Sequence, residues 1–150
     1  MKKFLVLSIA SPLLCGVYDE NYKLIDEISY EGFASDVLPK IYREMQNKYE
    51  FDEIFYIKGP GSFMAIKICY VFLKTICITK NMKFFASDGF LFNQNKQIKA
   101  IGKKAFIKNE NNEIILVDST GDFGIFKLPN ILEKNNFNDD CLPQYILPAV

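Results

Sequence analysis

The sequence predicts an α/β fold built on a mixed β-sheet, and three observations predict it. Three strand-like segments follow one another within residues 3–30, with only short turns between them. Two helical segments then alternate with two more strands, which requires crossover connections. The chain has 150 residues, of which 49% are hydrophobic, so one domain can bury its own core. The predicted order is therefore β-β-β-α-β-α-β, followed by a smaller C-terminal part.

The first three strands are predicted over residues 3–9, 13–18 and 22–30. The first is almost continuously apolar, which is typical of a strand that is buried on both faces. In the third, apolar residues alternate with polar ones, as expected where one face meets solvent. Because the connecting turns are short, these strands should form an antiparallel meander.

A helix is predicted over residues 35–48, and a fourth strand over residues 53–58. Ser35 is the expected N-cap, and Pro39 falls in the first turn, where proline is tolerated. Apolar residues recur at helical spacing along this segment, as they do in a helix with one buried face. These residues are Val37, Leu38, Ile41, Tyr42 and Met45.

A glycine-bounded loop follows the fourth strand and leads into a second helix, predicted over residues 62–79. A strand-to-helix turn presents free N–H groups and the positive end of the helix dipole. Gly59, Gly61 and Ser62 are therefore a possible anion or nucleotide loop, although the spacing does not match GxxxxGK[ST]. On physical grounds the alternative is favoured, namely a tight connection in which the glycines avoid clashes. Asn81 should end the helix, and a fifth strand is predicted over residues 83–86.

The second helix is apolar on more than one face, with Lys67, Tyr70 and Lys74 as a narrow polar stripe. The sheet can cover one side, and we expect a partner protein to cover the other. The alternative is that the C-terminal residues cover it. The residues predicted for the partner contact are Ile41, Tyr42, Met45, Ile66, Cys69, Tyr70 and Leu73.

The element order is typical of the ribonuclease-H-like lobe of actin and sugar kinases (ASKHA fold). We assign residues 1–92 to such an actin-like lobe and residues 93–150 to a reduced C-terminal lobe. Its predicted strands are 97–101, 104–108, 113–118, 125–128 and 145–147, with a short helix over 128–134. The segment 118–124 resembles a phosphate-cradling turn, but a β-turn between two strands is the favoured interpretation.

The composition restricts the chemistry that the chain can perform and indicates the compartment in which it works. The formal net charge is 0, so any contact with RNA should be indirect. The chain has no His and no CxxC pair, which favours buried free cysteines in a reducing compartment, no metal site and no catalytic residues.

The N-terminal apolar run is too short and too interrupted for a signal peptide. Lys67 and Lys74 would each cost about 3 kcal/mol in a bilayer, so we expect no membrane segment and a cytoplasmic protein.

The segment from Lys58 to Ile68 resembles the signature of the TsaB (YeaZ) family, G-R-G-P-G-S-F-T-G-[VIL]-R-[IV]-G. Gly59-Pro60-Gly61-Ser62-Phe63 keeps the frame of that signature, and Lys67 takes its basic position. The N-terminal strand pair, Leu38-Pro39 and Leu142 to Tyr145 resemble three other segments of the family. Departures are Ser8 in place of the first-strand Asp, and Met64-Ala65 in place of Thr-Gly. Family members usually exceed 200 residues, which implies that the second lobe is reduced here.

The resemblance implies a non-catalytic subunit in the threonylcarbamoyl-adenosine modification of tRNA. Its expected partners are a TsaD-like catalytic subunit and a TsaE-like ATPase, with a homodimer also possible and tRNA reached only indirectly. In the family, the two early helices form the contact, and they correspond to residues 35–48 and 62–79. No cofactor is expected for the chain itself, and ATP or ADP could bind only at an interface of the complex. Ser8 lacks the carboxylate that an actin-type site needs to organise a metal and a phosphate.

Three alternatives stay open. The first is a reduced actin-fold phosphotransferase or ATPase that uses the Gly59 loop with Asp118 and Asp122. The second is a glycoprotease-like peptidase, which the lack of His disfavours. The third is a homodimer with an unrelated cargo.

Overall fold

The computed structural model describes residues 1–144. Its β-strands and α-helices are, in chain order, β1 (Lys2–Leu7), β2 (Leu13–Tyr18), β3 (Leu24–Tyr30), α1 (Ala34–Lys48), β4 (Phe51–Ile57), α2 (Phe63–Lys80), β5 (Lys83–Ser87), β6 (Ile98–Lys99), β7 (Lys104–Lys108) and β8 (Ile114–Asp118). Two short 3-10 helices, Gly89–Phe92 and Lys134–Asn136, lie in the C-terminal half. The predicted order β-β-β-α-β-α-β is confirmed.

The main sheet has five strands in the order β3-β2-β1-β4-β5. β1 pairs antiparallel with β2 and parallel with β4, and β4 pairs parallel with β5. The sheet is therefore mixed, as predicted, and β1 lies at its centre. Four successive residues of β1, Phe4 to Leu7, have no exposed surface because both faces of the sheet are covered.

Both α-helices lie on the same face of this sheet, whereas the sequence only indicated helices on its faces. The side chains of α1 and α2 share one core cluster with Phe4 and Val6 of β1. The topology explains the placement: α1 leads from β3 to β4 and α2 from β4 to β5, so both crossovers run in the same direction across the sheet. Right-handed crossovers in one direction place their helices on one face.

The C-terminal half covers the opposite face. A second core cluster joins Leu5 and Leu7 of β1 to residues from the first 3-10 helix, from the small sheet and from the segment around the second 3-10 helix. Its C-terminal members are Phe90, Phe92, Ile98, Phe106, Leu132 and Phe137. The small sheet has the order β6-β7-β8, and the N–H of Asn112 donates to the carbonyl of Asn109 at 3.0 Å in the turn between β7 and β8. The domain boundary proposed after residue 92 falls just before β6 and stays a prediction.

Two predicted C-terminal elements are wrong. Residues 125–128 do not form a strand, and residues 128–134 do not form a helix. The chain instead runs along the edge of the main sheet, where Ile131 forms an antiparallel bridge with Lys23. The carbonyl of Pro129 accepts a hydrogen bond from the Tyr18 hydroxyl at 2.7 Å, which also holds this segment extended. The predicted strand at 145–147 lies outside the described residues.

The helix ends differ slightly from the prediction. Phe33, rather than Ser35, is the N-cap of α1 and makes no side-chain cap bond. Ser62 occupies the predicted N-cap of α2, also without a side-chain hydrogen bond. Asn81 ends α2 in the left-handed conformation, with a φ of 55°, which Asn tolerates better than most residues.

A buried ion cluster joins the C-terminal segment to the main sheet. Glu53 of β4 is 4% exposed, and its carboxylate accepts hydrogen bonds from Lys134 Nζ and the Tyr22 hydroxyl, both at 2.6 Å. Lys3 Nζ of β1 lies 3.2 Å from the same carboxylate. Burial acts to raise the pKa of Glu53, but the hydrogen bonds from Lys134, Tyr22 and Lys3 outweigh it and hold the pKa below its usual value.

We expect Glu53→Gln to lower the free energy of unfolding at pH 7 by about 1.5–3 kcal/mol, because charged hydrogen bonds are lost. The folded-state pKa of Glu53 is lowered, so its contribution is present above its unfolded value and is lost as the pH falls from about 4.3. The difference between wild type and variant should therefore shrink below that pH in urea titrations. Glu110→Gln, on an exposed turn, is the control. A difference that is constant from pH 7 to pH 3 would contradict the assignment.

Candidate functional site

Six of the seven residues predicted for the partner contact are buried inside this chain. Ile41, Tyr42 and Met45 of α1 lie beneath the helix against the sheet, and none is more than 5% exposed. Ile66, Cys69 and Leu73 of α2 have no exposed surface at all. The seventh, Tyr70, is half-buried and packs against the rings of Tyr56 and Phe84. A surface formed by this set is therefore not present in the structure, although the use of the two helices as a contact stays a prediction.

The outer face of α2 carries an apolar stripe, which we call the α2 stripe and define as Met64, Val71 and Ile78. These side chains are 59%, 53% and 71% exposed. They are spaced seven residues apart, close to two helical turns, so they line up along the helix. Residues at positions 66, 69, 73 and 77 face the opposite way, into the core. The outer face of α2 thus carries three exposed apolar side chains, and none of them is among the residues predicted for the partner contact.

Charged and polar groups border the α2 stripe. Lys67 and Lys74 are exposed and follow Met64 and Val71 by three residues each, so they lie beside the stripe. On one flank α1 packs against α2, through the rings of Tyr42 and Phe72 at 6.1 Å. The exposed residues of α1 are mainly polar, among them Lys40, Arg43, Glu44, Gln46 and Asn47. The α2 stripe is thus an apolar surface that is bordered by two lysines and by the mainly polar exposed residues of α1.

The Gly59–Phe63 loop is closely packed against its own chain. Gly59 has a φ of +135°, and a Cβ there would lie 3.0 Å from the carbonyl oxygen of Gln144. A Cβ on Gly61 would lie 2.9 Å from the Cβ of Ile9. Both glycines therefore permit close approach, as in the interpretation that the sequence favoured. Anion or nucleotide binding by Gly59, Gly61 and Ser62 stays a prediction.

The side chain of Ser8 contacts α2. The Cys69 thiol donates a hydrogen bond to Ser8 Oγ at 2.9 Å, and both residues are buried. Burial raises the pKa of Cys69 to about 11, although the bond to Ser8 acts in the opposite direction. This thiol is therefore neutral at physiological pH. All four cysteines are buried and free, so the prediction of buried free thiols is confirmed.

A cleft of about 1070 Å³ lies where the loop after β1 and the start of α2 face the C-terminal half. Its apolar lining consists of Ile9, Ala10, Pro12, Leu14, Phe63, Met64, Ile98, Ala100, Ile101, Phe106, Phe123, Ile125 and Phe126. Its polar side chains come from Ser11, Ser62, Gln97, Lys99 and Gln144. Lys99 is the one charged side chain among these lining residues. The cleft is therefore suited to an uncharged, apolar occupant.

The two carboxylates considered for an enzyme lie outside the lining of this cleft. Asp118 is exposed, and its carboxylate accepts a hydrogen bond from Lys104 Nζ at 2.6 Å. This hydrogen bond is the main cause of the lowered pKa of Asp118. Asp122 is also exposed, 3.3 Å from Lys96 Nζ. The turn between them has Gly121 at a φ of +83°, but no strand follows it at 125–128.

Residues 1–144 contain no group of three or more His, Cys, Asp or Glu placed to hold a metal ion. No helix in the same range combines the length and apolar character needed to cross a membrane.

Comparison with solved structures identifies the fold. One match is YeaZ from Pseudomonas aeruginosa, with a TM-score of 0.62, and another is a protein from the same organism described as uncharacterized, with similarity to peptidase YEAZ, at 0.60. Each is 12% identical to this chain, and each match covers 79% of this chain and 64% of the other. No protein-family model and no curated protein matches the chain.

The YeaZ-like (TsaB-like) fold predicted from the signature resemblance is confirmed by this comparison. The similarity is one of α/β architecture. Because the sequence identity is only 12%, the similarity shows the fold and says nothing about activity. The chain spans less than two thirds of the length of these two structures.

We expect Cys69→Asp to lower the free energy of unfolding by about 3 kcal/mol or more, because it places a carboxylate in an apolar interior. Val71→Asp, two residues away on the outer face, should change it by no more than about 0.5 kcal/mol. Urea denaturation of both variants, followed by circular dichroism, makes the comparison. Equal losses would contradict the orientation of α2 described here.

Proposed function

We propose that this chain is a non-catalytic TsaB-like subunit that binds a TsaD-like subunit, with a TsaE-like ATPase, for the threonylcarbamoyl-adenosine modification of tRNA. The observation that carries the proposal is the α2 stripe, because it lies on a helix that the family resemblance implies as the contact. The YeaZ-like fold supports the same function. A net charge of 0 favours an indirect role in tRNA binding, within a cytoplasmic complex.

The α2 stripe has the composition of a helix–helix contact. Three apolar side chains two turns apart can insert between the side chains of a partner helix, and each can contribute about 1.5–3 kcal/mol when fully buried. Lys67 and Lys74 would meet acidic groups at the rim, which affects orientation and association rate more than affinity. The partner face should therefore be an apolar helix bordered by carboxylates.

A non-catalytic role is supported by the position that corresponds to the first-strand Asp of the family. Here Ser8 supplies a hydroxyl that accepts a bond from Cys69, instead of a carboxylate that could hold a metal and a phosphate. Catalysis is accordingly assigned to the partner. The alternative of a reduced actin-fold phosphotransferase or ATPase is favoured by one observation, that Gly61 and Ser62 line the cleft. Calorimetry with ATP and magnesium tests that alternative, with Gly61→Val as the variant that should lose any binding.

We expect Val71→Asp to reduce the affinity for the TsaD-like subunit of the same host at least tenfold, because a charge replaces an apolar contact at the centre of the stripe. Leu91→Asp is a matched control, since Leu91 is 51% exposed but lies on the first 3-10 helix. Affinities measured by calorimetry, with circular dichroism to verify folding, make the test. Equal affinity of Val71→Asp and wild type would refute the interface.

The cellular role is tested separately. The wild-type chain should restore threonylcarbamoyl-adenosine in tRNA when it is expressed in TsaB-depleted cells together with its own partners, and Val71→Asp should restore less. The modified nucleoside is quantified by mass spectrometry. Binding without restoration would leave the interface intact but reject the role in tRNA modification, whereas homodimerisation through the stripe without binding to TsaD would favour the homodimer with another cargo.

A further inference from the structure

The small sheet ends in an apolar strand whose outer edge is open. β8 is the last strand in the order β6-β7-β8, and its first four residues are Ile-Ile-Leu-Val. In the part of the chain that the structure describes, no other segment pairs with this edge. The unpaired N–H and C=O groups of an apolar edge strand are a template for a further strand.

The other sheet edges are protected. At each of them a later segment of the chain pairs with the edge strand or with the residue beside it. The pairs are Leu24 with Asn130, Ala86 with Asn138, and Gln97 with Phe123. β3 continues beyond its pair, but Asp26 and Glu27 place charges there, which discourage strand pairing. β8 has no such pair and no charged residue before its last position.

The hydrogen bonds between β7 and β8 show which backbone groups point outward. The N–H of Asn109 donates to the carbonyl of Glu113 at 2.9 Å, and the N–H of Ser119 donates to the carbonyl of Lys103 at 2.7 Å. In an antiparallel pair, residues that bond to the neighbouring strand alternate with residues whose N–H and C=O point away from it. Every second residue of β8 therefore offers both groups at the outer edge. These residues are Ile114, Leu116 and Asp118.

We propose that β8 pairs antiparallel with β8 of a second copy of this chain, with Leu116 of each copy opposite the other on a two-fold axis. Each outward-pointing residue then donates one hydrogen bond across the axis and accepts one. Ile115, which is 37% exposed, lies opposite Val117 of the second copy, and such pairs of branched apolar residues stabilise a sheet. Asp118 lies opposite Ile114, so no two like charges face each other.

The charge of the edge favours an identical strand over a strand of another protein. The one charged residue of β8, Asp118, is bonded to Lys104 of its own chain at 2.6 Å. The edge therefore presents no unbalanced charge that would select an acidic or a basic partner. An apolar strand without net charge is what the edge fits, and a second copy supplies it.

The dimer contact is separate from the α2 stripe. The helices lie on one face of the main sheet, and the small sheet belongs to the half that covers the opposite face. Pairing through β8 therefore leaves the stripe of each copy accessible. The expected assembly is a two-fold dimer that presents two stripes. The inference does not depend on the function proposed above, because it concerns a different surface.

The test combines sedimentation velocity with amide exchange measured by NMR on the whole chain. We expect the sedimentation coefficient to rise from a monomer value to a dimer value between about 10 μM and 1 mM, as for a small interface. Over the same range, exchange of the amides of residues 114, 116 and 118 should slow at least about threefold. The amides of residues 115 and 117 already bond to β7 and should not change. A monomer at all concentrations would overturn the proposal.

Paired cysteine variants test the register. In the proposed pairing, residues 115 and 117 of different copies form a non-hydrogen-bonded pair, whose Cα atoms lie about 4.5 Å apart and so suit a disulfide. Under mild oxidation, an equimolar mixture of Ile115→Cys and Val117→Cys should form a cross-linked dimer at least about fivefold faster than either variant alone. The four native cysteines are buried and do not compete. Equal rates would overturn the proposed pairing.

A charge at the edge should separate the copies. Ile115→Lys should raise the dissociation constant of the dimer at least about tenfold, because it brings like charges together across the axis and removes an apolar contact. Ile101→Lys is the matched control, since Ile101 is 76% exposed in the turn between β6 and β7, and it should dimerise like wild type. Circular dichroism verifies that both variants fold. A dimer that Ile115→Lys leaves unchanged would overturn the proposal, because the contact would then lie on another surface.

Discussion

The burial of β1 on both faces is the constraint on which the rest of this structure depends. A strand with four consecutive residues that have no exposed surface requires a covered sheet on each side. The helices supply one cover, because two crossovers in the same direction must lie on one face. The other cover has to come from residues after β5, and the irregular C-terminal half provides it with aromatic and aliphatic side chains.

The regular part of the fold was predictable because its signals are local. Continuous apolar character marks β1, alternation marks β3, helical spacing marks α1, and Asn81 marks the end of α2. The C-terminal half was predicted less well, since its order comes from distant partners. Ile131 is extended because Lys23 is adjacent in space, and no signal within residues 125–134 shows that pairing.

The candidate site was predicted at the level of the helix but not of its residues. In α2 most side chains are apolar all round, so the hydrophobic pattern has no preferred direction and cannot tell the core face from the outer face. Geometry decides it, since the face with residues 66, 69, 73 and 77 lies on the sheet. The cleft was not predicted at all, because the residues that line it, in the ranges 9–14, 61–64, 97–106 and 123–126, are far apart in the sequence.

The position of the second cover along the chain has a consequence for biosynthesis. A ribosome completes the strands and helices of the main sheet by about residue 87, but Leu132 and Phe137 emerge some fifty residues later. During that interval the face formed by Leu5, Leu7 and Phe55 has no complete cover, and such exposed apolar surface makes nascent chains prone to aggregation. Translation speed and chaperone access over the second half of the message therefore bear directly on the yield of folded protein.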